Sequence, residues 1–197
     1  MIVLDIETSG LHPEKHGIWQ IGALDLFNPG NTFLQEGRID DEDEVSEGAL
    51  KVTGKTETEL RDLIKQAQKN LIGNFLGWTD FKIKNCICQN PQFDLGFINY
   101  KARKYGLKLP LHHRAFDLHS IAAIKYYEVN GCYLIEVNHS DMGLSNILKF
   151  CGMLDNRKVH NALEDAKLTA ECYSRIIYKA PLFSEFSEFK IPGYLLK

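Results

Sequence analysis

Apolar positions recur along the chain first with a period of two and later with the period of a helix, and that change predicts the order of its elements. Ile2, Val3 and Leu4 form an apolar run that continues as Asp5-Ile6-Glu7 and closes at Thr8-Ser9-Gly10, which reads as a strand followed by a turn. A second apolar run covers residues 18–27 and ends at Asn28-Pro29-Gly30. Residues 31–39 then complete an antiparallel meander. An acidic run at 40–44 is followed by a short helical pattern around Ala49. A longer helix is predicted over 57–70, with Leu60, Leu63, Ile64 and Ala67 at helical spacing. Residues 81–88 alternate as a strand, 93–105 read as a helix stopped by Gly106, and a short strand is expected near Ala115-Phe116. Further helices are predicted over 118–127, 144–151 and 162–178. Strands first and then strands alternating with helices make an α/β protein: a central mixed β-sheet, its meander first, with helices on both faces.

Composition narrows this picture. A chain of 197 residues, 44% hydrophobic and 25% charged, suits one ordinary domain with a real core. We place that domain at 1–179. The tail at 180–197 holds Phe183, Phe186, Phe189 and Tyr194, too aromatic for a free end, and is expected to pack on the domain or on a partner. No stretch has the roughly 20 apolar residues of a membrane helix, and the start lacks a basic n-region, so a cytoplasmic location is expected. Five cysteines without a CxxC pair read as small buried apolar residues rather than a disulfide framework or zinc site. The net charge of −3 argues against nucleic acid, whose binders usually carry a basic excess.

Three clusters of polar residues bear on chemistry. Asp5 and Glu7 are two apart in a strand, so both face one side while Ile6 faces the other. Paired carboxylates raise one another's pKa unless a cation lies between them. The apolar run before them marks a strand buried on both faces, and the turn after them puts the pair near its C-terminal end, where open sheets collect ligands. In His160-Asn161-Ala162-Leu163-Glu164-Asp165, Asn161 and Glu164 have the spacing of a capping box. The helix then begins at Ala162, with His160 on the preceding loop and Asp165 in the first turns. A loop histidine beside a helical carboxylate suits a general base. Asp94, in Asn90-Pro91-Gln92-Phe93-Asp94, falls at a strand-to-helix junction that can face the same crevice.

Taken in order, Asp5-Ile6-Glu7-Thr8-Ser9-Gly10-Leu11, Asn90-Pro91-Gln92-Phe93-Asp94 and His160-Asn161-Ala162-Leu163-Glu164-Asp165-Ala166 resemble the DxExTGL, HNxxFD and HxAxxDA motifs of the DEDDh family of 3′-to-5′ exonucleases. The likeness spans residues 2–177, and Ile18-Trp19-Gln20-Ile21-Gly22-Ala23 resembles the family's second strand. It implies the ribonuclease-H-like fold and a phosphodiester hydrolase that releases nucleoside 5′-monophosphates from single-stranded 3′ ends, DNA favoured over RNA. By the same resemblance Asp5, Glu7, Asp94 and Asp165 would hold two divalent cations, Mg2+ or Mn2+, and His160 would be the base. Thr8 and Leu11 would border the terminal nucleotide, and Asn90 and Phe93 would shape the floor.

Departures from the pattern are Gln89 for the usual His, Ile6 between the first two acids, Ser9 before the Gly, and Thr53 in the Val52-Thr53-Gly54-Lys55-Thr56 loop. They touch the grip on the substrate end rather than the metal ligands or the base. A non-catalytic scaffold of the same fold is disfavoured because all five catalytic positions hold competent residues. A proofreading subunit served by a polymerase in trans, a freestanding repair or RNA-processing nuclease, and a homodimer all stay open. Two divalent cations would lift the formal charge from −3 to about +1, which removes the objection to a nucleic-acid substrate.

Overall fold

The computed structural model describes residues 1–80 and 83–197. Its five-stranded sheet has the order β3-β2-β1-β4-β5 and is built from β1 (Ile2–Thr8), β2 (Ile18–Asp25), β3 (Asn28–Glu36), β4 (Cys86–Cys88) and β5 (Phe116–Asp117). The first three pair antiparallel, whereas β4 runs parallel to β1, and β5 parallel to β4. This is the mixed sheet with a leading meander that the sequence predicts.

The alternation within β1 feeds two cores. Ile2, Leu4 and Ile6 join Ile21, Ala23 and the helices α3 (Gln68–Trp78) and α4 (Pro91–Lys104) on one face. Val3, Leu24 and Ile87 join α5 (Leu118–Asn130), α6 (Leu144–Phe150) and α7 (Ala162–Ile177) on the other. Every hydrophobic residue of β1 is therefore buried, as the unbroken run requires.

Several sequence expectations need correction. The β2–β3 turn is at Leu26-Phe27 rather than at Asn28-Pro29-Gly30, and β3 starts three residues early. Asp25 explains it: its Oδ1 accepts from the N–H of Phe27 and from the amino group of Met1, making a side-chain-bridged turn that leaves Leu26 buried. The helix predicted over 57–70 is not formed. A four-residue α2 (Glu57–Leu60), opened by the Thr56–Glu59 capping box, ends at Arg61, whose guanidinium donates to the carbonyls of Asp40, Asp41 and Asp43. The next residues leave the helix to bond with the segment after β3, through Arg38 N–H to Gln66 O and Ile39 N–H to Leu60 O. Leu63 and Ile64, expected on the buried face, are 80% and 94% exposed.

The strand predicted over 81–88 shrinks to Cys86–Cys88, because pairing with β1 begins at Ile2 opposite Cys86; Phe81 and Lys82 lie outside the described residues. A hairpin of β6 (Ile135–Glu136) and β7 (His139–Ser140) was not anticipated. Of the five cysteines, Cys132 is exposed and the other four are buried.

The tail lies against α6 and α7. Glu171 and Arg175, fully buried and paired at 2.7 Å, bind it by its backbone. Glu171 Oε2 accepts from the N–H groups of Leu182 and Phe183, and Arg175 donates to the carbonyls of Phe186 and Phe189. Leu195 is fully buried. Among the described residues no helix is long and apolar enough to cross a membrane.

Candidate active site

β4 runs parallel to β1, with Ile2 opposite Cys86 and Val3 opposite Ile87, and so ends short of Asp5 and Glu7; α4 from one face of the sheet and α7 from the other converge on this end. On one face, α7 approaches β2 at Gly22, the residue paired with Asp5 across the antiparallel ladder. A Cβ on Gly22 would lie 2.1 Å from the backbone of Ala162 and of Leu163, so only glycine permits this contact. Gln20, opposite Glu7, fixes the helix end by accepting the Ala162 N–H at 2.8 Å on its side-chain oxygen. Asn161 supplies the N-cap, accepting from Leu163 and Glu164. Asp165, in the first turn, is 3% exposed. On the other face, α4 opens with Pro91 at its first position and carries the buried Asp94.

Between them is a cleft of about 480 Å³ whose walls include Asp5, Glu7, Asp94 and His160. Asp165 lies behind this lining and meets it through His160, whose Nδ1 is 3.1 Å from Asp165 Oδ2. The structure thus brings the five sequence-picked residues together from three separate segments. Of the four substrate-side residues, all line the cleft. Leu11 stands 73% exposed at its lip and Asn90 is exposed, while Phe93 packs on Phe97 with ring centres 4.9 Å apart. Thr8 uses its hydroxyl internally, donating to Gly10 O at 2.6 Å. Gln89, in the usual His position, also lines the cleft and reaches Met142 O at 3.5 Å. α1 (Glu47–Thr53), capped by Ser46, supplies the facing wall with Ala49, Val52 and Thr53.

Crowding acids in a desolvated corner shifts their titration. Burial, and then the charges of Asp94, Asp165 and Glu7, push Asp5 well above the ordinary carboxylate range, against the opposing pull of Arg157. Burial raises Glu7 to about 7 and Asp94 to about 8. The hydrogen bond with Asp165 raises His160.

A divalent metal fits this donor set. Glu7 Oε1 is buried with no hydrogen-bond partner among the described residues, an arrangement that costs free energy unless something positive meets it. One ligand atom each of Glu7, His160 and Asp165 lie within 4.8 Å of one another. Hard carboxylate oxygens suit Mg2+ or Mn2+.

Sequence reasoning passed over Gln20 and Gly22 as parts of the site and missed Arg157, which donates to Asp165 Oδ1 at 3.0 Å. A basic residue three positions before His160 was the available signal. Two basic residues of α4 after Asp94 are committed to acids of the 40–44 run: Lys101 is buried on Asp43 at 2.6 Å, and Lys104 pairs with Asp40 and Glu42.

The exonuclease family model RNase_T matches residues 2–173. Among curated relatives, DNA polymerase III subunit epsilon of Haemophilus influenzae is 28% identical over 183 residues, 87% of this chain and 65% of that protein. Ribonuclease T of Vibrio vulnificus is 25% identical over 195 residues, 90% of this chain and 84% of that protein. The chain therefore spans less than two thirds of the Haemophilus subunit. A zinc-bound complex of E. coli exonuclease I with single-stranded DNA superposes with a TM-score of 0.71 at 18% identity, covering 94% of this chain and 42% of that one. The nuclease domain of 3′hExo, a DEDDh family member bound to rAMP, gives 0.67 at 19% identity, covering 98% and 95%. The shared architecture is the ribonuclease-H-like fold.

Proposed function

Because this chain belongs to the RNase_T exonuclease family, we propose that it is a metal-dependent 3′-to-5′ exonuclease that hydrolyses terminal phosphodiester bonds of single-stranded nucleic acid to nucleoside 5′-monophosphates. The observation that carries this reading is the convergence of Asp5, Glu7, Asp94, His160 and Asp165 at one cleft. Asp5, Glu7, Asp94 and Asp165 would hold two divalent cations, Mg2+ or Mn2+. When bound, such a pair supplies Lewis acidity to the attacking water and charge stabilisation to the leaving 3′ oxygen.

The chain's own residues do the rest. Asp165 Oδ2 orients the His160 ring through Nδ1, which leaves Nε2 as the nitrogen that takes the proton of the water. A contribution of roughly 10² to 10⁴ in rate is the usual worth of such a base. Leu11, Asn90 and Phe93 offer the terminal nucleotide apolar and amide contacts, and Thr8 acts through the turn it braces.

DNA is the favoured substrate, supported by the likeness to subunit epsilon, and that likeness also supports a polymerase or another replication or repair protein as a partner, with a freestanding nuclease the other reading. The likeness to ribonuclease T, which extends over most of that enzyme, supports RNA as the second reading. Degradation of matched single-stranded DNA and RNA oligonucleotides, with Mg2+ or Mn2+ and with chelator, distinguishes them. Asp5→Asn and Asp165→Asn should each abolish cleavage while the protein stays folded. His160→Ala should cut the rate far more than it weakens binding. Unchanged cleavage by either Asp variant refutes the assignment.

A further inference from the structure

One charged side chain in contact with the carboxylate cluster is used by none of the chemistry above. Arg157 sits in the connection between α6 and α7, with its side chain only 8% exposed. Nε and Nη2 donate to Asp155 at 2.9 and 2.8 Å, and Nη2 also meets Ser145 Oγ at 3.1 Å. Nη1 is left to donate to Asp165 Oδ1 at 3.0 Å. The fork is aimed, because Asp155 itself is held by Ser145 Oγ at 2.5 Å and by the Arg157 N–H. Both oxygens of Asp165 are thus taken, Oδ1 by Arg157 and Oδ2 by His160. Among the described residues no lysine and no other arginine forms an ion pair with Asp5, Glu7, Asp94 or Asp165.

We propose that Arg157 is the resident counter-cation of the metal-free carboxylate cluster, and that it competes with a divalent cation for Asp165; this rests on the metal-site reading above. The physical case is charge balance. A group of desolvated acids is unstable without positive charge, and a guanidinium already poised on one of them supplies it. A divalent cation on the same carboxylate would stand close to that guanidinium in a medium that screens poorly, so the two favour exclusive occupancy. Arg157 must then release Oδ1 as the metal binds, while Asp155 and Ser145 keep the side chain parked beside the cleft. Arg157 therefore stabilises the apo protein and weakens metal binding by the same interaction, as linkage demands.

The test uses Mn2+ alone as the probe. Titration calorimetry of the native protein and of Arg157→Gln should show the variant binding Mn2+ roughly tenfold more tightly, the loss of one charge-assisted hydrogen bond from the apo state. Thermal unfolding in chelator should show Arg157→Gln melting several degrees lower than native, and in saturating Mn2+ the two should melt together. Arg157→Lys keeps the charge but not the fork, and should fall between the two in Mn2+ affinity; it decides the matter if the Gln variant does not fold without metal. Equal losses of Tm with and without Mn2+, together with unchanged or weaker Mn2+ binding, would make Arg157 a plain strut and overturn the proposal alone. No Mn2+ binding by the native protein would overturn the metal-site reading and the competition with it.

Discussion

Gly22→Ala tests how closely α7 must approach the sheet for the site to work. The added Cβ would sit 2.1 Å from the carbonyl carbon of Ala162 and 2.1 Å from the nitrogen of Leu163, against the 3.4 Å at which ordinary contact begins. These are backbone atoms at the start of a sixteen-residue helix, so no side-chain rotation can relieve the clash. The first turn of α7 must instead lift by more than about 1 Å, which carries Asp165 away from Asp5 and breaks the 2.8 Å bond from Ala162 N–H to Gln20. Overpacking of this kind costs about 1–3 kcal/mol, and the lost hydrogen bond about 1 more. For a domain of this size each kcal/mol lowers Tm by about 2–4 °C. A displacement of about 1 Å in a catalytic group costs about 10² in rate. The assay is thermal unfolding together with turnover of an end-labelled single-stranded oligonucleotide. Gly73→Ala, in α3 with open space where its Cβ would go, is the control, and should gain about 0.5–1 kcal/mol of stability. If Gly22→Ala keeps both the Tm and the rate of the native protein, the glycine contact is not what sets Asp165 beside Asp5.

Two other outcomes follow from the same packing. In chelator the protein should lose stability as pH rises. Glu7 and Asp94 move from ordinary values of 4.5 and 3.8 up to about 7 and about 8, so the folded state binds more protons than the unfolded state across that interval. The raised His160 acts in the same direction, because the stability it gives while charged is lost as pH climbs through its folded value. Denaturant titrations from pH 5 to pH 8.5 should therefore show a falling unfolding free energy, flattened by excess Mn2+; a rising one contradicts the carboxylate geometry. Arg175→Met strips one partner from a fully buried ion pair and leaves the carbonyls of Phe186 and Phe189 without their donor. It should cost about 3–5 kcal/mol and expose the tail to limited proteolysis, whereas native-like stability and protection would show that the aromatic side chains alone hold it.

How much of this protein was legible in its sequence depends on how local each cause is. The apolar run before Asp5 implied a strand buried on both faces, and the period of two put Asp5 and Glu7 on one side, because both are properties of a few consecutive residues. The start of α7 was legible for the same reason, since Asn161 caps it with its own side chain. The division of residues 57–78 was not. Leu60, Leu63, Ile64 and Ala67 have helical spacing, yet Arg61 finds the carbonyls of the acidic 40–44 run, and Arg38 and Ile39 claim the backbone of Gln66 and Leu60. Those partners lie about twenty or more residues away, and no local pattern announces them. The candidate site divides along the same line. Its acids and histidine were readable by type and order, because metal and proton chemistry demand particular donors. Gly22 and Gln20 enter the site only because α7 lies across β2, and Arg157 only because the loop before His160 folds back onto Asp165. Residue chemistry is carried by the sequence, whereas distances among charges, and hence which cation faces Asp165, arise only when segments remote in the chain are packed together.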